Sequence, residues 1–177
     1  MNEKTVGFMS TWLDQRIAAI NICMGAGFAD AALTLLYSAI DTLAFLSAPA
    51  NTKKAGRRYF IDWCKRYIVL SPHSAVTGID LYGARCGILH TSSATSELGS
   101  EGKAREVWYR FEGQAGVNLM TNTPHPALNL DIEELVGAFG NGSQQFVADL
   151  AGNLAQRTIA QERVGQLFSW GILTRAV

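Results

Sequence analysis

Two long apolar segments near the start of the chain, residues 8–24 and 28–47, constrain the fold more than any other feature. In both segments apolar side chains recur every three or four residues, which is the period of a helix that buries one face. Glycines 25 and 27 interrupt the pattern, which resumes directly afterwards. A short glycine turn between two long helices favours an antiparallel helical hairpin, so the sequence predicts a mainly α fold. The apolar positions are Trp12, Leu13, Ile17, Ile20 and Met24, then Leu33, Leu36, Tyr37, Ile40, Ala44 and Phe45.

Helical patterns also account for most of the remaining chain. Residues 54–70 and 74–91 predict a third and a fourth helix, and the pattern returns after residue 130. Residues 92–105 are rich in Ser, Thr and Gly and predict a surface loop. Gly140 and Gly142 mark a point where the C-terminal helical pattern could kink or split.

One segment has a different character. GluValTrpTyrArgPhe (106–111) and ValAsnLeuMet (117–120) are rich in β-branched and aromatic residues and flank a glycine-bearing turn, which predicts a short β-hairpin. The absence of a linker or repeat predicts a single domain. Its parts are an antiparallel helical bundle core at about 8–92, a β-hairpin insertion at about 106–120 and additional C-terminal helices at about 130–170.

The balance of charge restricts the function. Charged residues make up 17% of the 177 residues, whereas about a quarter is usual in a soluble domain. A partner subunit is the simplest cover for such a surface, so we expect a homodimer. The 15 basic and 15 acidic side chains cancel, which argues against a general DNA-coating protein, because such a protein is strongly basic.

The cysteines and the N-terminus favour a cytoplasmic protein. An odd number of cysteines without C-x2-C spacing predicts reduced thiols rather than a disulfide framework. The first six residues lack the basic and apolar regions of a signal peptide. Residues 28–50 are long enough to cross a bilayer, but Asp30 and Asp41 would be costly there, so we expect no membrane association. The cysteines are Cys23, Cys64 and Cys86.

Arg85 and His90 form an R-x4-H spacing within the apolar run LeuTyrGlyAlaArgCysGlyIleLeuHis (81–90). Arg85 stays charged at any working pH, and its planar fork of donors suits a phosphate. His90 can exchange a proton near neutral pH. Together they could cleave a phosphodiester that carries its own 2′-hydroxyl nucleophile. On a helix their Cβ directions differ by about 140°, so a site using both would need a cleft that wraps the helix, or a second copy of the helix.

The same two residues also admit a structural interpretation. Arg85 would pair with an acid such as Asp41 or Asp80, and His90 would cap a helix end. Cys86 and His90 have a spacing that could share a zinc ion, but no second pair has ligand spacing. GlyAlaGly (25–27) follows a helix rather than a strand, which argues against a dinucleotide-binding loop. We therefore expect no metal and no cofactor.

A basic run precedes the segment that contains Arg85. Six of the 15 cations lie between residues 53 and 66, and Tyr59, Trp63 and Tyr67 alternate with them. Such a pattern predicts a phosphate track with aromatic rings on which RNA bases stack. The alternative is an amphipathic helix with a solvated basic face. The six cations are Lys53, Lys54, Arg57, Arg58, Lys65 and Arg66.

Over about residues 8–92 the chain resembles the HEPN superfamily. The resemblance rests on a helical hairpin, a third helix and then Arg85-x4-His90 at the end of a helix, with Tyr82 three residues before the arginine. It implies a bundle of four or five helices that dimerises through the motif helices. Active members commonly carry Asn, Asp or His directly after the arginine, whereas this chain has Cys86.

The resemblance also implies a function. Members with an intact motif are often metal-independent endoribonucleases of toxin–antitoxin and phage-defence systems, so an antitoxin or regulatory protein is an expected partner. His90 would act as general base or acid, and Arg85 would stabilise the transition state, leaving a 2′,3′-cyclic phosphate. Tyr82 would belong to this site, and Asp41 could orient its groups. The alternative is a non-catalytic helical homodimer that serves as a scaffold or partner-binding module.

Overall fold

The structure of the protein is a computed structural model that describes residues 3–91, 96–111 and 127–167. These residues form seven helices and two short strands, which confirms the mainly α class with a short β insertion. In chain order the elements are α1 (Glu3–Gly25), α2 (Ala29–Ser47), α3 (Arg57–Tyr67), α4 (Gly78–Thr91), α5 (Glu97–Ser100), β1 (Val107–Arg110), β2 (Leu128–Asp131), α6 (Ile132–Gly152) and α7 (Leu154–Leu167).

The turn between α1 and α2 has the form of a Schellman motif. Gly27 lies in the left-handed region with φ of +80°, which only glycine adopts without strain. Its N–H donates to the carbonyl of Met24, and the N–H of Phe28 donates to that of Cys23. These bonds satisfy carbonyls that the end of α1 would otherwise leave free. The predicted helical hairpin is therefore observed, with the glycine in the position that reverses the chain.

Helix α2 lies at the centre of the bundle. It packs against α1, α3, α4, α6 and α7, and more than half of its residues are buried. Within the described residues it is the one helix long and apolar enough to cross a membrane by length and composition. Its burial by five other helices accounts for that apolar character, because a helix covered on most sides needs few polar residues.

An arginine from α7 closes the C-terminal end of α2. Arg163 is only 4% exposed. Its Nη1 donates to the carbonyls of Phe45 (2.5 Å) and Ala48 (2.6 Å), and its Nη2 donates to those of Pro49 and Thr52. The last carbonyls of a helix lack partners within it and carry its negative dipole end. Arg163 therefore supplies both the hydrogen bonds and the positive charge that this buried helix end requires.

The two strands pair in parallel rather than as a hairpin. Strand β1 lies within the segment 106–111 that predicted a strand, but its partner is β2, in the register Val107↔Leu128 to Arg110↔Asp131. Residues 117–120, the predicted partner, lie outside the described residues. Parallel strands need a connection that crosses back to the starting edge, which the short turn of a hairpin cannot provide. The hydroxyl of Tyr109 contacts that of Tyr37 and so fastens β1 to α2.

The structure differs from two local predictions, one about the loop at 92–105 and one about the glycines of the C-terminal helix. The segment predicted as a surface loop contains the short helix α5, whose first turn is capped by Ser96. Helix α6 is continuous through Gly140 and Gly142, so neither glycine splits it. A Cβ on Gly142 would lie 2.2 Å from the carbonyl oxygen of Tyr67. Gly142 is therefore required for the close approach of α6 to the end of α3.

Replacing Gly142 by alanine should lower the free energy of unfolding by about 2 kcal/mol or more, because the added carbon forces α3 and α6 apart. Gly140→Ala is the matched control in the same helix, where an added Cβ meets nothing within 4 Å. That change should stabilise the protein by about 0.5–1 kcal/mol through helix propensity. Urea unfolding of both variants measures the difference, and equal effects would contradict the close approach.

Candidate functional site

The helix that carries Arg85 and His90 begins at a buried carboxylate. Asp80 is 1% exposed. Its Oδ2 accepts hydrogen bonds from the backbone and hydroxyl of Thr77 (2.9 and 2.6 Å) and from Nη2 of Arg105 (2.7 Å). Burial raises the pKa of Asp80, but the hydrogen bonds from Arg105 and Thr77 outweigh burial and lower it below the ordinary carboxyl value. Asp80 therefore anchors the start of α4 to the chain that follows α5.

At pH 7, Asp80→Asn should lower the free energy of unfolding by about 1.5–3 kcal/mol, because the buried side chain loses its charge-assisted hydrogen bonds from Thr77 and Arg105. The contribution of Asp80 is present above the ordinary carboxyl pKa of about 4 and is lost as the pH falls through the lowered pKa of the folded protein. The stability gap between wild type and variant should therefore narrow below about pH 4.

Chemical denaturation of both proteins at pH 7 and at about pH 3 measures this gap. Asp14→Asn, on the exposed side of α1, is the control and should change the free energy of unfolding by less than about 0.5 kcal/mol. A gap of the same size at both pH values would show that the carboxylate charge of Asp80 is not what stabilises the fold.

Arg85 is held by Asp41 from the neighbouring helix α2. The Oδ2 atom of Asp41 accepts from Nε of Arg85 at 2.8 Å and from Nη2 at 2.6 Å. Both side chains are about one-fifth exposed. Burial lowers the pKa of Arg85, but the hydrogen bond and charge of Asp41 outweigh it and raise the pKa. Burial raises the pKa of the Asp41 carboxyl, and Arg85 opposes that rise. The guanidinium is thus charged and fixed in orientation.

His90 contacts Arg85 within the same helix. Nη1 of Arg85 lies 3.1 Å from Nε2 of His90, and the imidazole is exposed. The expectation that this pair needs a wrapping cleft or a second copy of the helix is therefore wrong. The angular separation of about 140° applies to the Cβ atoms, whereas the long arginine side chain reaches along the helix to the ring. One chain is sufficient to bring the cation and the imidazole together.

Tyr82 and Cys86 complete the surroundings of Arg85. The guanidinium lies 5.9 Å from the centre of the Tyr82 ring, and the sulfur of Cys86 lies 3.9 Å from Nη1. Burial raises the pKa of the Tyr82 hydroxyl, so the hydroxyl is neutral and the ring supports the cation from one side. The structure thus gathers all four predicted site residues, Asp41, Tyr82, Arg85 and His90, and adds Cys86, which the sequence marked as a departure from the family pattern and as half of a weak zinc pair.

The structural interpretation named Asp41 or Asp80 as the partner of Arg85. Asp41 forms that ion pair with Arg85, whereas Asp80 pairs with Arg105. Sequence patterns missed Arg105 as well as the buried Arg163. A signal for Arg163 was available, because it falls among Ala160, Val164 and Leu167 in the apolar stripe of α7. A cation inside such a stripe needs a buried partner.

The basic run is exposed, but its aromatic residues are not. The side chains of Trp63 and Tyr67 are 2% and 7% exposed and pack against Phe146 of α6. Tyr59 is half-buried and accepts a hydrogen bond from Thr52. The prediction that these rings offer stacking surfaces to RNA bases is therefore wrong, because they form the inner face of an amphipathic helix. The four basic residues of α3 lie on its exposed face, and Lys53 and Lys54, which precede the helix, are also exposed.

The six cations are not equivalent. Arg58 pairs with Asp62 at 3.6 Å, and Arg66 pairs with Asp149 at 2.6 Å. The charge of Arg57 reaches Glu101, at the end of α5. Each local ion pair reduces the charge available to a phosphate, so Arg57 is less neutralised than Arg58 and Arg66.

Helices α3 and α4 run antiparallel. Gly78, at the start of α4, lies against Ile61 and Cys64, and Tyr82 further along packs on Phe60. The N-terminal end of α3 therefore lies towards the end of α4 that carries Arg85 and His90. The basic run divides accordingly: Arg57 opens α3 at the end near the site, with Lys53 and Lys54 just before it in the chain, whereas Lys65 and Arg66 belong to the far end.

Comparison with protein-family models, with curated proteins and with solved structures gives no match for this chain. The HEPN resemblance therefore stays a prediction that rests on the residues around Arg85. Within the described residues no three His, Cys, Asp or Glu side chains gather as a group that could hold a metal ion.

Proposed function

We propose that this chain is a HEPN-like RNA-binding protein that cleaves RNA without a metal and leaves a 2′,3′-cyclic phosphate. One observation carries the proposal: a guanidinium fixed by Asp41 lies 3.1 Å from an exposed imidazole. The arginine supplies a permanent positive charge for a phosphate, and the histidine supplies a group that exchanges protons near neutral pH. His90 is exposed at the end of α4, and Arg85 is half-buried beside it.

The cleavage step uses these groups as follows. The ribose 2′-oxygen attacks phosphorus, and Nε2 of His90 accepts the hydroxyl proton. As the new P–O2′ bond forms and the P–O5′ bond breaks, Arg85 stabilises the charge that grows on the non-bridging oxygens. A protonated histidine then gives a proton to the leaving 5′-oxygen. Asp41 keeps the guanidinium in place and takes no proton.

The proposal includes a homodimer in the cytoplasm. In such a dimer the His90 of a second protomer would supply the proton for the leaving group, and a regulatory protein such as an antitoxin would cover the site. The low share of charged residues supports a partner surface, and the three free thiols suit a reducing compartment.

His90→Ala should reduce the rate of RNA cleavage in EDTA by about 10²–10⁴-fold, because the proton acceptor is lost. His73→Ala removes another exposed histidine, in the loop before α4, and should leave the rate unchanged. Cleavage of a panel of RNAs, with product ends identified by mass spectrometry, measures this. Equal rates for wild type and His90→Ala, or no cleavage by either across a broad panel, would exclude the catalytic function.

RNA binding should depend on the end of the basic run that lies near the site. Lys54→Ala with Arg57→Ala should weaken binding and reduce the slope of log affinity against log salt by about 2, since each phosphate contact contributes about 1. Lys65→Ala with Arg66→Ala removes the same charge at the far end of α3 and is the control. Equal losses would indicate a diffuse electrostatic effect, and no loss in either would remove the basic run from the RNA site.

A second function is favoured by the ion pair itself. Asp41 and Arg85 join α2 to α4 at a half-buried position, and this bond would stabilise a non-catalytic helical homodimer that acts as a scaffold or partner-binding module. Under that function His90 has no chemical role. A His90→Ala variant that retains its oligomeric state and lacks only RNA cleavage would favour the enzyme, whereas a wild type that cleaves no RNA would favour the scaffold.

A further inference from the structure

The guanidinium of Arg85 has two edges that can each bind an oxyanion through two N–H groups. The side edge consists of Nε and Nη2, and the end edge consists of Nη1 and the second hydrogen of Nη2. Asp41 takes the side edge, because its Oδ2 accepts from both Nε and Nη2. The end edge remains, and it faces His90. Asp41 therefore fixes Arg85 without using the edge that a phosphate would take.

In the structure His90 occupies this end edge. Its Nε2 lies 3.1 Å from Nη1 of Arg85. An arginine only donates hydrogen bonds, so Nε2 must be the acceptor in this contact. The ring is then neutral with its proton on Nδ1, and the lone pair that would accept a substrate proton is directed at the guanidinium. The groups needed for catalysis are thus engaged with each other.

We propose that the contact between Arg85 and His90 is a resting-state latch that a phosphate group opens by taking the end edge of Arg85. Two phosphate oxygens match the spacing of the guanidinium fork. A guanidinium also binds an anion more strongly than it binds a neutral imidazole, because the hydrogen bonds to an anion are charge-assisted on both sides. Displaced from Nη1, His90 Nε2 becomes free beside the bound phosphate.

The surroundings of the end edge suit an anion. The sulfur of Cys86 accepts from Nη1 at 3.9 Å and Tyr82 lies against the face of the guanidinium, and neither side chain is an Asp or Glu carboxylate. Asp41, the acid in contact with Arg85, is committed to the opposite edge. The latch rests on the proposed function, since it assigns a phosphodiester to the same site. It adds that ligand binding, rather than the fold alone, creates the reactive form of His90.

The ring nitrogens of His90 report the latch directly. In protein labelled with ¹⁵N-histidine, at about pH 8.5 where imidazoles are neutral, the His90 ring should carry its proton on Nδ1. Inorganic phosphate should abolish the Nδ1–H signature of His90 in a saturable manner and leave His73 unchanged. A 2′-deoxy oligonucleotide, which lacks the nucleophile for cleavage, should have the same effect and shows that a phosphodiester serves as well as free phosphate.

Arg85→Lys is the informative variant. Lysine retains a positive charge that can pair with Asp41, but it has no second edge, so His90 should lose the Nδ1–H preference and its response to phosphate. A proton on Nε2 of His90 in the free wild-type protein, or an equal phosphate response of His90 and His73, would overturn the latch, as would a normal response in Arg85→Lys. If these results occur while RNA is still cleaved, only the latch fails. If His90 responds to phosphate as expected but no RNA is cleaved, Arg85 forms a phosphate-binding site and the proposed ribonuclease activity is excluded.

Discussion

The burial of α2 determines how the other elements are arranged, because the polar groups on its covered faces and at its C-terminal end take partners from other parts of the chain. Asp41 accepts from Arg85 of α4, and the hydroxyl of Tyr37 contacts Tyr109 of β1. The carbonyls at the C-terminal end accept from Arg163 of α7. A polar group buried without a partner costs about 1–3 kcal/mol. The hydrogen bonds to these three groups therefore hold α4, β1 and α7 against α2.

The candidate site follows from one of these requirements. A carboxylate in the middle of an otherwise apolar helix needs a cation, and Arg85 provides it through two N–H groups. Since the same guanidinium has a further edge, fixing it against α2 also presents donors towards His90. A bond that stabilises the fold thus orients the groups proposed for phosphodiester cleavage. This dual role explains why both an enzymatic and a purely structural function are compatible with one ion pair.

Helix α3 shows how packing changes the meaning of a sequence pattern. Its basic and aromatic residues alternate in a manner typical of nucleic-acid binding, yet Trp63 and Tyr67 face inward, Tyr59 is half-buried, and the cations face solvent. Burial raises the pKa of Tyr67 to about 12, in keeping with a ring that belongs to the core. The antiparallel packing of α3 on α4 then places one end of the basic run towards Arg85 and the other end away from it.

The sequence by itself determined the helical hairpin, the positions of the main helices, the strand at 107–110 and the exposure of the basic residues. These features depend on periodicity and on turn residues such as Gly27, which act within a few positions along the chain. Tertiary structure alone decided that Arg85 pairs with Asp41 while Arg105 takes Asp80, that β1 pairs in parallel with β2, and that Arg163 closes α2. It also decided that Arg85 reaches His90 within one chain. Each of these depends on which distant segments pack together and on how far a flexible side chain extends, and neither is encoded in the local spacing of residues.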